Sequence, residues 1–132
     1  LDWVEFDNMD WLGEETRVTY GLKATIAEAN AYINALCDYT HAYGMKCMAK
    51  NMVEGFENFD GVLYESFSDD KNWWDSKGTQ RFINAGKRVI INHYDESDCE
   101  GVYAWYKRLY RTEKLSFICE DTALKKYRHF NQ

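Results

Sequence analysis

Apolar and polar runs alternate along the chain in a way that predicts strands and helices in turn. Trp3–Phe6 reads as a strand that runs into acids, and the polar stretch Gly13 to Lys23 after it reads as a loop. Thr25-Ile26-Ala27-Glu28 is a capping box, in which the Thr25 side chain and the Glu28 carboxylate each satisfy the other's backbone N–H. Ile26, Ala29, Ile33, Leu36, Cys37 and Thr40 follow at three- and four-residue spacing, the stripe of an amphipathic helix that ends near Gly44. Met45–Ala49 predicts a second strand ending in Lys50-Asn51, Val53 to Asn58 a single helical turn, and Gly61–Tyr64 a third strand ending in Glu65. Asp69 to Ala85 reads as a loop and then a helix stopped by Gly86. Arg88-Val89-Ile90-Ile91-Asn92 is nearly all apolar, as a parallel strand covered on both faces should be. Asp98 to Thr112 predicts a helix with Val102, Trp105, Tyr106 and Leu109 on one side, Leu115–Cys119 a fifth strand ending in Glu120-Asp121, and Thr122 to Phe130 a final short helix.

This order carries no hairpin signal, so it predicts an α/β fold of parallel β/α units with right-handed crossovers. Parallel strands put their C-terminal ends on one rim, where the sequence places Asp7 and Asn8, Lys50 and Asn51, Glu65, His93-Tyr94-Asp95, and Glu120 and Asp121. Glu5 and Asp7 are two residues apart and share a strand face. Crowding Glu5, Asp7 and Asp10 at one strand exit costs stability unless the charges are used. A carboxylate at the C-terminal end of a buried strand is where α/β barrels keep their chemistry.

Composition narrows the function. The chain has 132 residues, which sets one domain as the prior, and 45% apolar with 17% aromatic residues is enough for a packed core. A net charge of −6 argues against a phosphate-backbone partner, so no nucleic acid is expected, and it suits a neutral or cationic ligand. No apolar run is long enough for a membrane span. Cys37, Cys47, Cys99 and Cys119 form no C-x-x-C pair, which sets zinc aside; their even number permits two disulfides, and Cys37 on an apolar helix face equally suits a buried thiol. No cysteine stands beside a histidine at a strand end, and no glycine-rich phosphate loop is present, so no cofactor is expected. The spacing of Asp7, Asp10 and His93 is too generic to define a metal site. A lone strand-end histidine such as His93 is more often a hydrogen-bonded structural residue than a ligand. Trp11 and the adjacent pair Trp73-Trp74 are candidate sugar platforms, with one of the pair packed inward as the plain alternative.

The motifs then resemble a known family. Asp2-Trp3-Val4-Glu5-Phe6-Asp7-Asn8-Met9-Asp10 resembles the D-G-V-E-P-D-N-x-D signature of glycoside hydrolase family 114. Tyr32 to Gly44, with Ala35, His41 and Gly44, resembles the helix leading to the family's A-H-x-x-G-L turn, and Lys50-Asn51 resembles its K-N. Phe59-Asp60 and Tyr64-Glu65-Ser66-Phe67 resemble F-D-F-x-x-N-E-x-C-F, and Ala85-Gly86-Lys87-Arg88-Val89 resembles A-G-K-x-V. These motifs cover roughly residues 1–95, and beyond them only the pattern agrees.

The resemblance implies an endo-acting hydrolase of an α-1,4-linked, galactosamine-containing polysaccharide, secreted, built as a (β/α)8 TIM-type barrel. It places Asp7 and Glu65 as the catalytic pair on barrel strands four and six, with Lys50 and Asn51 on strand five. Glu65 is assigned as the acid and Asp7 as nucleophile or base. Asn8, Asp10, Trp11, Lys50, Asn51 and His93 are the expected substrate contacts, with Glu5 neutralising Lys50. Such a barrel takes about 250 residues, so the chain would supply the C-terminal five strands, four to eight. An open five-strand sheet exposes apolar edges, and the chain begins inside a strand without an initiator Met, so a fragment of a longer chain is expected, completed by the missing barrel half or by other chains of an assembly. Four positions depart from the family pattern: Phe6 for proline, Tyr64 for asparagine, Ser66 for cysteine, and His93 for a glutamate. They motivate an alternative reading, a non-catalytic glycan-binding or structural domain of an extracellular assembly. A third reading is an unrelated open α/β sheet with its ligand at a topological switch point.

Overall fold

A computed structural model describes residues 2–7, 9, 13–52, 55, 57–67, 78–110 and 115–130. Among these residues the chain forms a six-stranded sheet in the order of the sequence. The strands are β1 (Trp3–Glu5), β2 (Lys46–Lys50), β3 (Gly61–Phe67), β4 (Arg88–Tyr94), β5 (Leu115–Glu120) and β6 (Tyr127–Phe130). The helices are α1 (Glu14–Thr19), α2 (Ile26–Ala42), α3 (Thr79–Asn84) and α4 (Cys99–Tyr110). Strands β1 to β5 pair in parallel, each with its sequence neighbour, while β6 runs antiparallel to β5. This mixed α/β, mostly parallel sheet is compatible with part of a TIM-type barrel.

Local chemistry explains the helix limits. The Thr25 capping box forms at α2: Glu28 N–H donates to Thr25 Oγ1 at 3.2 Å, and Thr25 N–H donates to Glu28 Oε2 at 2.7 Å. The helix ends at Gly44, whose φ of 71° is free of Cβ strain, and the Met45 N–H reaches back to the Thr40 carbonyl. Ala29, Ile33, Cys37 and Thr40 are the buried stripe, while Ile26, in the first turn, is exposed. Gly86, with φ 68°, closes α3 in the same way.

Alternation along the strands sets up two unlike faces. Val62, Tyr64 and Ser66 of β3, Val89, Ile91 and His93 of β4, and Leu115, Phe117 and Cys119 of β5 are all buried. In the pairing register Tyr64 lies beside Ile91 and Ile91 beside Phe117. With Ile33 and Cys37 of α2, Phe82 of α3, and Val102 and Tyr106 of α4 they form one core between sheet and helices. Each fully buried large apolar side chain there contributes about 1.5–3 kcal/mol. Two disulfides, Cys37–Cys47 and Cys99–Cys119, tie α2 to β2 and α4 to β5, so the buried-thiol alternative for Cys37 falls.

Two segments differ from expectation. The Gly13 to Lys23 loop holds the short helix α1. The final segment is not a helix: Asp121 Oδ1 accepts from the N–H of Lys125 at 2.8 Å and of Lys126 at 3.2 Å, Leu124 turns with φ 55°, and β6 returns along β5 as a hairpin. Phe130 of β6 packs on Tyr103 and Phe117 with ring centroids 4.7 and 5.7 Å away, a tertiary contact that outweighs weak helix propensity. β6 occupies the outer edge of β5, the edge through which a closed barrel would pair with its first strand. The expected turn at Val53 to Asn58 and the loop from Asp69 lie largely outside the described residues, as do Asn8, Asp10, Trp11, Trp73 and Trp74.

Candidate active site

The polar face of the sheet carries a compact charged cluster at the C-terminal ends of β1 to β4. Glu5 pairs in register with Met48, so Asp7 and Lys50, each two residues further on, lie on the same side. Lys50 of β2 is the hub. Its Nζ lies 3.2 Å from Asp7 Oδ1, 3.3 Å from Glu65 Oε1 and 3.7 Å from Glu5 Oε1. The lysine side chain is only 14% exposed, whereas Asp7 is 57% exposed. The ammonium is therefore held inside the cluster and Asp7 is its solvent-facing member.

Asn51, directly after β2, has φ 54°, a left-handed conformation that asparagine tolerates. That turn aims its side chain across to β3. Its Oδ1 accepts from the Glu65 N–H at 2.8 Å, and its Nδ2 lies 3.4 Å from Glu65 Oε2. On the other side the Tyr94 hydroxyl donates to Glu65 Oε1 at 3.1 Å, and Asn92 Nδ2 donates to the Tyr94 oxygen at 2.9 Å. Glu65 is thus gripped from both neighbouring strands, and among the described residues the side chains hydrogen-bonded to its carboxylate are donors.

The cluster perturbs its members. Burial pushes the Glu5 carboxyl above its ordinary value; Lys50 pulls it back only in part, and Asp7 and Glu65 add to the rise. Burial works to lower the Lys50 ammonium, and the hydrogen bond to Asp7 with the charges of Glu65 and Glu5 outweighs it, so its pKa lies above the ordinary value. Burial, joined by the carboxylates of Glu65 and Glu120, raises the Tyr94 phenol and keeps it protonated at neutral pH.

The sequence-expected residues sort into three groups. Glu5, Asp7, Lys50, Asn51 and Glu65 come together. Asn8, Asp10 and Trp11 lie outside the described residues. His93 is not brought to the cluster. It is fully buried on the helix-facing side, with Nδ1 3.2 Å from Ser66 Oγ and Nε2 3.0 Å from Glu96 Oε2. The physical reason is strand parity: His93 follows Val89 and Ile91 at two-residue steps into the core, while Asn92 and Tyr94 face the cluster.

Asn92 and Tyr94 were missed as site residues. Their signal was their even spacing from Ile90, but in a strand of successive apolar residues the sequence does not say which set faces the core. No helix among the described residues is long and apolar enough to cross a membrane. The arrangement offers several carboxylates around one fixed cation on an accessible rim, the equipment for acid–base work on a bound ligand.

Comparison with known proteins gives one result. A family model described as Glycoside-hydrolase family GH114 matches residues 2–132, well past the stretch that carries the recognisable motifs. No curated protein and no solved structure shows a significant match to the chain.

Proposed function

The chain belongs to glycoside hydrolase family 114, and on that premise we propose that Asp7 and Glu65 are the carboxylate pair that cleaves an α-1,4-linked, galactosamine-containing polysaccharide. Membership implies glycoside hydrolase activity on a carbohydrate; the pair and the polymer are our reading. The observation that carries it is the bridging of both carboxylates by one ammonium. With Lys50 Nζ at 3.2 and 3.3 Å, the two bridged oxygens are no more than about 6.5 Å apart. Retaining glycosidases need about 5–5.5 Å between the carboxyl groups and inverting enzymes about 6.5–9.5 Å. That bound admits the retaining distance, with Asp7 as nucleophile and Glu65 as acid and then base. Lys50 contacts both carboxylates; Asp7 attacks the anomeric carbon, and Glu65 takes up a proton and delivers it to the leaving oxygen.

The remaining parts of the reading follow from the same site. The acid-rich rim attracts a polymer that carries ammonium groups. The parallel strands β1 to β5 correspond to barrel strands four to eight, with β6 outside the barrel's own count. The two disulfides support a secreted, extracellular protein, because such bonds persist in oxidising compartments. Three of the four departures from the family pattern, Tyr64, Ser66 and His93, are buried on the helix-facing side, away from the Lys50 cluster. That placement favours hydrolysis over a non-catalytic glycan-binding role.

Galactosaminogalactan is the test substrate. The wild-type chain releases oligosaccharides, and Asp7→Asn and Glu65→Gln each lose at least about a hundredfold in kcat/KM. Binding of the polymer without any release of oligosaccharides would instead establish the glycan-binding alternative.

A further inference from the structure

We propose that the opposite end of the same sheet face holds a second site, a cavity for a small oxyanion of the phosphate, sulfate or carboxylate kind. It lies where the parallel strands begin, whereas the Lys50 cluster lies where they end. The two sites are independent, and this one stands whether or not Asp7 and Glu65 cleave a glycan.

Strand register builds the cavity. Trp3 of β1 pairs with Lys46 of β2, and Gly61 of β3 pairs with both Met48 of β2 and Arg88 of β4. Paired residues share a face, and Met48 stands two residues beyond Lys46. Trp3, Lys46 and Arg88 are therefore on the side that carries Glu5 and Lys50. Gly61 leaves the middle of the row open: a Cβ there would stand 2.6 Å from the Arg88 carbonyl oxygen and 3.2 Å from the Trp3 ring. Trp3, Lys46 and Arg88, with Asp60, Gly86 and Lys87 from the segments leading into β3 and β4, line a cavity of about 240 Å³. Clefts for drug-sized ligands take about 300–1,000 Å³, and a water takes about 30 Å³. The space suits a small ion with a few waters.

Charge decides the kind of ion. The lining sets three cations, Lys46, Lys87 and Arg88, against one carboxylate, Asp60. That carboxylate is already engaged: its Oδ2 accepts from the Cys47 N–H at 2.8 Å and lies 2.7 Å from His41 Nε2. Lys87 Nζ donates to the Glu57 carbonyl at 3.0 Å, and the Lys46 ammonium sits 5.3 Å from the centre of the Trp3 ring. The half-buried Arg88 side chain makes no hydrogen bond or ion pair among the described residues. A guanidinium presents a planar fork of donors that matches two oxygens of a carboxylate or phosphate, which a halide cannot offer. An oxyanion on that fork would also offset the repulsion among three like charges. The net charge of −6 disfavours a polyanion, but fields are screened over about 8 Å at physiological ionic strength, so for one small ion the local cations prevail.

Titration of the protein with sodium phosphate, sodium sulfate or sodium acetate tests the site, with sodium chloride holding ionic strength constant. The Arg88 Nε–H signal in 15N NMR, assigned by Arg88→Gln, reports the contact. At least one of the three ions is expected to move that signal saturably, with Kd about 1 mM or below, and to raise Tm as its concentration rises. Tighter binding of phosphate or sulfate marks a tetrahedral oxyanion as the ligand, and tighter binding of acetate marks a carboxylate. Arg88→Gln and Lys46→Gln should each weaken binding about tenfold or more, the loss expected for a hydrogen bond to a charged group. Lys125→Gln, in the exposed turn between β5 and β6, should leave it unchanged. Lys46 is exposed, so Lys46→Gln, read by the ion-dependent rise in Tm, serves if Arg88→Gln does not fold. No saturable response to any of the three ions would overturn the site. So would a response that survives Lys46→Gln and Arg88→Gln, or one that Lys125→Gln weakens as much as they do.

Discussion

Glu65 and Ser66 are neighbours on β3, and Asn92, His93 and Tyr94 follow one another on β4, yet they build two opposite kinds of site. On the rim face Glu65, Asn92 and Tyr94 join Lys50, Asp7 and Glu5 in a half-exposed cluster with more carboxylates than cations. On the helix face Ser66, His93 and Glu96 are joined by hydrogen bonds, with Ser66 and His93 buried. The first arrangement leaves charge to be used by a ligand. The second is turned into the fold. A one-residue step along a strand therefore separates a candidate for chemistry from a structural fastening, although both contain the residue types of an active site.

Variants that remove one face at a time should break this contrast or sharpen it. The largest effect is expected at the Cys99–Cys119 disulfide, which braces α4 against β5 on the helix face. Replacing both cysteines with serine should cost about 3 kcal/mol in urea unfolding, from the entropy returned to a loop of this length, while rim activity falls only with the folded fraction. His93→Leu comes next, at about 2 kcal/mol, because it removes the hydrogen bonds of His93 to Ser66 and Glu96. The hydrogen bond from His93, aided by the Asp98 N–H, holds Glu96 below its ordinary value of 4.5. A lowered folded-state pKa contributes stability above the unfolded value and loses it as pH falls through the folded one. The gap between wild type and His93→Leu should therefore narrow below about pH 4.5 in melts taken across pH.

Lys50→Met inverts the pattern. It should cost about 1 kcal/mol at neutral pH, since its carboxylate partners are solvent-screened, and should abolish measurable hydrolysis. Its stability cost should fade in acid as Glu5, Asp7 and Glu65 protonate. A cost that persists in acid would mean that Lys50 acts through packing rather than charge. The raised Lys50 pKa carries the complementary sign: its stabilisation is complete below the unfolded value and is lost as pH rises through the folded value. The smallest effect is expected for Glu5→Gln. Burial raises this carboxyl, so folding favours its neutral form, and the penalty on the charge is present at neutral pH and absent in acid. The variant should gain on the order of 1 °C in Tm at pH 7 and nothing near pH 3.

Much of this was legible in the residues. The Thr25 box, the stripe through Ala29, Ile33 and Cys37, and the glycine stops at Gly44 and Gly86 are local signals, and they mark the helix where it forms. The rim gathering of Asp7, Lys50, Asn51 and Glu65 was legible because parallel strands must end together. The hairpin to β6 was not, because Tyr127 to Phe130 is a strand only once Phe130 finds Tyr103 and Phe117. Helix α1 was hidden in a polar stretch without an apolar stripe.

The sequence by itself determined the strand-and-helix order through most of the chain, its family, and the end of the sheet at which acids accumulate, since all three rest on spacing along one strand of polymer. Only the tertiary structure decided which of Asn92, His93 and Tyr94 reaches Glu65, that one lysine serves three carboxylates, and that the cysteines close in two pairs. Those outcomes depend on which face of each strand the helices cover and on how neighbouring strands are registered, and both are fixed by contacts between residues far apart in the chain.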